Sequence, residues 1–166
     1  MTGRRESVTD VQYKCSLLAV KDVEVSKKFY SELFEQTVAF DLGWNVTFSG
    51  GFAVQQNFGW LCDIPDDEIA AKSNNMELYF EVDDFDEFLC KLESYPDIHY
   101  VNRPKMHEWK QRVVRIYDPD YHIIEIGESM AVIARRYLAE GYSAAETAKI
   151  IQHPVQFTEA VRDGKI

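Results

Sequence analysis

The sequence predicts an α+β chain of two βαβββ modules, whose strands form a cupped mixed sheet, followed by C-terminal helices. Three observations predict it. A strand-then-helix unit occurs twice, so that Val20 and Asp22 of one copy align with Val82 and Asp84 of the other at a constant offset. Each unit is followed by short alternating runs divided by turn residues, as a meander of strands requires. From Met130 onward the pattern is helical only. Self-similarity of this kind reads as internal duplication.

The elements follow in order. KCSLLAVKD alternates from Cys15 to Val20 and places Cys15, Leu17 and Ala19 on one face of a strand. VEVSKKFYSELF carries Val25, Phe29, Tyr30 and Leu33 at helical spacing, and Asp22 precedes it where a side-chain oxygen caps free amides. Strands are predicted in QTVAFDLG, WNVTFSG and GFAVQQNF, with Gly43 and the Gly50–Gly51 pair marking turns. The polar, acidic stretch from Pro65 to Asn75 connects the halves. In the second half MELYFEVDD alternates as a strand, and FDEFLCKLESY carries Phe85, Phe88, Leu89 and Leu92 at helical spacing. IHYV, QRVVRIYD and YHIIEIG complete it, the last two joined at a turn from Asp118 to Tyr121. His122 stands an odd number of residues before Glu125, on the other strand face, and is expected to be exposed.

Between Asn102 and Arg112 the chain reads as an irregular stretch. Its Arg103, Lys105, His107, Trp109 and Lys110 could close over a ligand or form an ordinary solvated loop. Beyond it, MAVIARRYLAEG reads as a helix ending at Gly141. Ser143 and Glu146 form a capping box that opens AAETAKIIQ, and a shorter helix follows Pro154. Val132, Ile133, Tyr137 and Leu138 need a surface to cover them, on the core or on a partner subunit. The expected organisation is one domain over residues 12–128, with modules at about 12–64 and 75–128, and a helical extension over 129–166.

Composition narrows the function classes. The opening MTGRRESVTD is polar and does not read as a signal peptide. No run approaches the roughly 20 apolar residues that cross a bilayer. Cys15, Cys62 and Cys90 are an odd number without close pairing, which points to reduced thiols and a cytoplasmic location. No CxxC or HxxxH spacing suggests structural zinc. A formal charge of −10 argues against nucleic acid and anionic membranes as partners, but does not exclude a small anionic ligand. The tail's helix–turn–helix pattern mixes few basic residues with acids, so DNA reading is not expected of it.

SLLAVKDVEVSKKFYSELF, together with FEVDDFDEFLCKL and YDPDYHIIEIGE, resembles the vicinal oxygen chelate superfamily, the glyoxalase / bleomycin resistance / extradiol dioxygenase group. The resemblance covers about Gln12 to Glu128. It implies two βαβββ modules forming a deep cup, and a homodimer that binds a small molecule. Metal-dependent members hold a divalent ion between four inward positions, which correspond here to Cys15, Gln55, Glu77 and Glu125. Histidine is usual at one or both of the positions held by Cys15 and Glu77. A thiol beside two carboxylates and an amide suits neither a soft nor a hard ion well. The cofactor therefore stays open, with absence of a metal the stronger expectation; Gln55, Glu77 and Glu125 would hold a divalent ion if one were bound.

Two functions follow from the resemblance. In the first, Glu77 and Glu125 share one apolar cup, and one acts as general acid or base. The chain is then a glyoxalase-like lyase or isomerase that moves a proton on a small oxygenated metabolite. Cys15, Leu17, Gln55, Tyr79 and Trp109 are the expected pocket residues, Phe52 an expected wall, and Phe29 and Phe88 helix core. In the second, the chain is a non-catalytic binding protein that sequesters an aromatic or hydrophobic ligand. A metal-free apolar cavity with both glutamates paired to arginines would favour this second function; as purely structural residues, Glu125 would bond to Arg112 or Arg115 and Glu77 to a neighbouring tyrosine.

Overall fold

The computed structural model describes residues 11–166. They form two compact units that divide between Asp66 and Asp67. The first contains β1 (Ser16–Val20), α1 (Val23–Phe34), β2 (Val38–Asp41), β3 (Asn45–Phe48) and β4 (Phe52–Gln56). Its sheet runs β1-β4-β3-β2, with β1 parallel to β4 and the other pairs antiparallel. α1 begins where Asp22 Oδ1 accepts from the amides of Glu24 and Val25, at 2.8 and 3.4 Å. The helix buries Val23, Ser26, Phe29, Tyr30, Leu33 and Phe34. Val25, expected in the apolar stripe, is exposed instead, because the cap at Asp22 turns Val23 and Ser26 inward.

Tyr30 is fully buried, with its ring 5.3 Å from Phe48 and 4.9 Å from Phe52. Phe52, expected at a pocket wall, is therefore core. In β4 it alternates with Ala53 and Gln55, which take the other face. The predicted third strand stops at Gln56. Asn57 adopts the left-handed conformation (φ 55°), and a short helix, α2 (Phe58–Cys62), follows. A single 3-10 turn spans Asp66–Glu68.

The second unit repeats the plan with β5 (Glu77–Val82), α3 (Phe85–Ser94), β6 (His99–Met106), β7 (Arg112–Tyr117) and β8 (Ile123–Glu128), in the order β5-β8-β7-β6. Asp84 repeats the cap of Asp22, accepting from the Glu87 amide at 2.9 Å. Phe85, Phe88 and Leu92 of α3 are buried, as are Ile116, Ile124 and Ile126 of the sheet. The stretch expected to be irregular is largely strand: β6 continues through Pro104 to Met106, and only residues 107–110 turn. An edge strand permits this. Pro104 needs no ladder donor there, the register slips on either side of Asn102, and Arg103 and Lys105 stay in solvent. At the next turn, Asp118 Oδ1 accepts from the amides of Asp120 and His122, and Oδ2 holds His122 Nδ1 at 2.9 Å. His122 is thus half-buried and paired rather than exposed.

α4 (Met130–Ala139), α5 (Ala144–Ile151) and α6 (Val155–Arg162) follow. They close on a cluster of Met130, Ile133, Ala134, Ile151 and Val161, with Tyr137 and Leu138 packed against it. The Ser143–Glu146 capping box is formed in both directions. α4 is tied to the sheet by polar contacts. Ser129 N donates to Val82 O at 2.9 Å and Met130 N to Glu81 Oε2 at 3.3 Å. Glu128, only 2% exposed, pairs with Arg112 of β7 and Arg136 of α4, and Arg112 reaches on to Asp86 of α3 at 2.9 Å. Among the described residues no helix is long and apolar enough to cross a membrane.

Candidate functional site on the second sheet

Register determines which side chains meet. Tyr79 of β5 lies beside Glu125 of β8, Glu125 faces Arg115 of β7, and Arg115 faces Asn102 of β6. Residues directly opposed on neighbouring strands share a face, so these four form one row across the whole sheet. Glu77 stands two residues before Tyr79 and shares that face. Its Oε2 accepts from Arg115 Nε at 3.0 Å. Arg115 Nη2 also contacts Glu125 Oε2 as an ion pair. One guanidinium thus joins both expected catalytic carboxylates.

The row grades from solvent to interior. Glu77 and Tyr79 are exposed, the Arg115 side chain is 20% exposed, and Glu125 is 7% exposed. One buried acceptor opposite Arg115, Asn102 Oδ1, lacks a hydrogen-bond donor among the described residues. Buried polar atoms are ordinarily satisfied, so this oxygen marks a place where an incoming donor would be held.

A second polar chain runs from the same face toward the helical tail. Tyr79 Oη donates to Glu81 Oε1 at 2.7 Å and accepts from Gln111 Nε2 at 2.7 Å. Gln111 Nε2 also donates to Glu128 O at 3.0 Å, and its Oε1 accepts from Trp109 Nε1 at 2.9 Å. Gly127 makes room for this: a Cβ there would overlap Gln111 Nε2 and lie 3.1 Å from Tyr79 Oη. Burial, followed by the hydrogen bond to Glu81, pushes the Tyr79 phenol up to about 12, against the opposing effect of Gln111. Tyr79 is therefore a neutral hydrogen-bonding group near neutral pH, unsuited to accepting a proton there.

The remaining predicted residues are placed as follows. Trp109 is half-buried, stacks on His107 at 4.1 Å, and packs against the cluster of the terminal helices. His107 Nε2 is buried without a partner, and burial, then Lys105 and Arg115, hold the ring below its ordinary value. In the first unit, Cys15 is a half-buried free thiol just before β1, and Leu17 is half-buried on the strand. Gln55 is buried, accepts from Asn45 Nδ2 at 2.9 Å and donates to Gln56 O at 2.6 Å. It faces Ala19, whereas Glu125 faces Tyr79, the counterpart of Leu17, and Leu17 faces Ala53. Ala53, two residues before Gln55, thus holds the ladder position that matches Glu125.

These donors do not fit a resident metal. Glu77 and Glu125 already surround a cation, the Gln55 oxygen is taken by Asn45, and the ladder equivalent of Glu125 is a methyl group. Among the described residues no group of three or more His, Cys, Asp or Glu is arranged to hold an ion.

The sequence names Arg115 by number only as a partner for Glu125, and expects an arginine partner for Glu77 only in the general form that both glutamates pair with arginines. Alternation within QRVVRIYD sets Arg115 apart from Arg112, which takes the opposite face with Val114 and Ile116. That was the available signal. Asn102 carried no comparable signal, because its place depends on the register slips of β6.

Comparison with known proteins agrees with the topology. The family model for the glyoxalase-like domain matches residues 13–131. A crystal structure of a protein of unknown function from Agrobacterium tumefaciens C58 is similar at 31% identity and a TM-score of 0.62, covering 73% of this chain and 96% of that one. A glyoxalase-related enzyme from Fulvimarina pelagi is similar at 20% identity and a TM-score of 0.59, over 71% of this chain and 88% of that one. A glyoxalase/bleomycin resistance protein/dioxygenase family enzyme from Burkholderia phytofirmans PsJN shares the fold at 12% identity and a TM-score of 0.60, over 69% of this chain and 96% of that one. No curated protein matches the chain. With two βαβββ sheets, a family match over most of its length and three helices added beyond the shared core, the chain belongs to the glyoxalase-like family of the vicinal oxygen chelate superfamily.

Proposed function

We propose that this chain is a small-molecule-binding protein of the bleomycin-resistance type, and that its ligand is held on the Glu125 face of the second sheet. The observation that carries this reading is the Glu77–Arg115–Glu125 arrangement. A guanidinium between two carboxylates offsets one of their two negative charges and separates them, so the pair no longer resembles two like charges in an apolar cup. It resembles a fixed polar platform. The acceptor at Asn102 Oδ1 suits a ligand that brings a hydroxyl or N–H donor to an otherwise aromatic or apolar body. Tyr79 is proposed as a contact for that body.

The test is native mass spectrometry with elemental analysis on gently purified protein, followed by thermal-shift screening of hydroxylated aromatic compounds. A co-purified organic mass, or a stabilising compound whose effect is lost in N102L, supports the reading. A stoichiometric divalent metal lost in E77Q or E125Q would overturn it.

A glyoxalase-like lyase or isomerase is the second reading. It is favoured by one observation: two carboxylates, Glu77 and Glu125, stand on one face of the second sheet and share one guanidinium. Turnover of an oxygenated metabolite that disappears in E125Q, with the fold retained, would establish it over the first.

The proposal extends to assembly and setting. Phe40 and Leu42, at and just beyond the edge strand β2, are 68% and 76% exposed, which suits burial in a homodimer. Three free cysteines suit a reducing cytoplasm, and the acidic balance of the chain suits neither nucleic acid nor an anionic membrane as partner.

A further inference from the structure

We propose that a corner of the first unit, between Trp44 and Trp60, binds a small organic cation with an alkylated ammonium head. The two indoles lie outside every strand, with centroids 5.9 Å apart and planes inclined at 77°. They are 51% and 70% exposed, so neither contributes a buried face to the core. With Asn57 and Asp66 they line a cavity of about 390 Å³, within the range of about 300–1,000 Å³ usual for small-ligand sites.

The chemistry of the lining selects the ligand. Indole faces attract cations more strongly than other aromatic rings do. Asp66 makes no ion pair or hydrogen bond among the described residues, and Asn57 makes no side-chain capping bond. No basic side chain lines the cavity to repel a cation or neutralise Asp66. The approach of Asp66 is built into the backbone. A Cβ on Gly59 would overlap Asp66 Oδ1 and lie 2.8 Å from Ile64 O, so only glycine lets the 57–66 turn carry the carboxylate there. Ile64 N closes that turn on Gly59 O at 3.0 Å. A primary ammonium has three donors to satisfy, and this lining has few acceptors. An alkylated ammonium needs few or none, and presents an apolar, weakly hydrated positive surface to both rings. The net charge of −10 adds a long-range attraction of the same sign.

The site lies wholly in the first unit and is independent of the reading given to the second sheet. Its test is titration of the three indole N–H signals of the full chain by NMR with choline, and with 3,3-dimethylbutan-1-ol, its uncharged carbon isostere. Choline is expected to shift the Trp44 and Trp60 signals saturably and to leave Trp109 unmoved, with the isostere at least ten-fold weaker. D66N and W60A should each weaken choline at least ten-fold, while an unchanged Trp109 signal reports an intact fold. Equal binding of the isostere would mean a merely apolar groove and overturn the proposal, as would full affinity in D66N or absence of saturation. Progressive shielding of Trp60 as protein concentration rises would assign the corner to a second copy of the chain, and would also overturn it.

Discussion

Replacing Arg115 with methionine removes the cation shared by Glu77 and Glu125, and the structure sets the size of the effect. The Glu125 side chain is 9% exposed and that of Arg115 20%, whereas Glu77 keeps 40%. Removing one partner of a buried pair leaves an uncompensated charge and costs about 3–5 kcal/mol. An exposed pair such as Glu77–Arg115 contributes roughly 0–1 kcal/mol. R115M should therefore cost about 3–5 kcal/mol, nearly all of it through Glu125. For a chain of this size that is a fall of about 6–20 °C in Tm. E77Q should stay within roughly 1 kcal/mol of the parent. The double variant R115M/E125M removes both buried charges and should recover most of the loss, because apolar replacement of a whole buried pair is often neutral. Urea unfolding at fixed ionic strength, with the slope checked for constancy, measures all three. R115M within about 1 kcal/mol of the parent, or a double variant no better than R115M, would refute the argument.

Four other outcomes follow from the same kind of reasoning. E128Q should cost about 1.5–3 kcal/mol and expose the α4–α6 segment to limited proteolysis, because the buried carboxylate bonds two arginines that stay partly in solvent when it is neutralised. R136Q should cost far less, since that arginine is 45% exposed and Arg112 remains on the carboxylate. Burial pushes His122 down, but the hydrogen bond and charge of Asp118, with Asp120, carry it above its ordinary value. A folded value above the unfolded one means the pair stabilises below about pH 6.5 and loses that contribution as pH rises through the folded value. H122Q should accordingly lower Tm more in mildly acidic than in mildly alkaline buffer, and a pH-independent cost would contradict the pairing. S143A should cost about 0.5–2 kcal/mol in thermal unfolding, since Ser143 Oγ accepts from the Glu146 amide at 3.2 Å in the capping box.

The fold was legible where local rules decide it. Asp22 and Asp84 precede their helices and cap them, and alternation in both first strands separates the core face from the open one. Three misreadings have local causes as well. The stretch after Asn102 reads as irregular, yet β6 is an edge strand and runs on through Pro104. Asn57 lay inside an alternating run, and alternation does not report a left-handed turn. His122 was placed by strand parity, although its partner Asp118 belongs to the turn. The site was less legible because it depends on register. Parity puts Glu77, Glu125 and Arg115 on open faces, but only the ladders show that Arg115 stands beside Glu125 and that Gln55 lies two residues beyond the matching position.

The two halves have diverged most on the face that the duplication would make equivalent. In the first sheet the matching row is Leu17, Ala53, Thr47 and Phe40, without a charged side chain. In the second it is Tyr79, Glu125, Arg115 and Asn102, a charged set in which the Asn102 amide oxygen is left over among the described residues. An uncharged row can pack against an apolar body but has little to offer a polar group. A charged row held by its own counter-ion keeps its geometry without a ligand, and needs no metal to hold its carboxylates together. The same guanidinium therefore accounts for both the order of the row and its poor suitability for an ion.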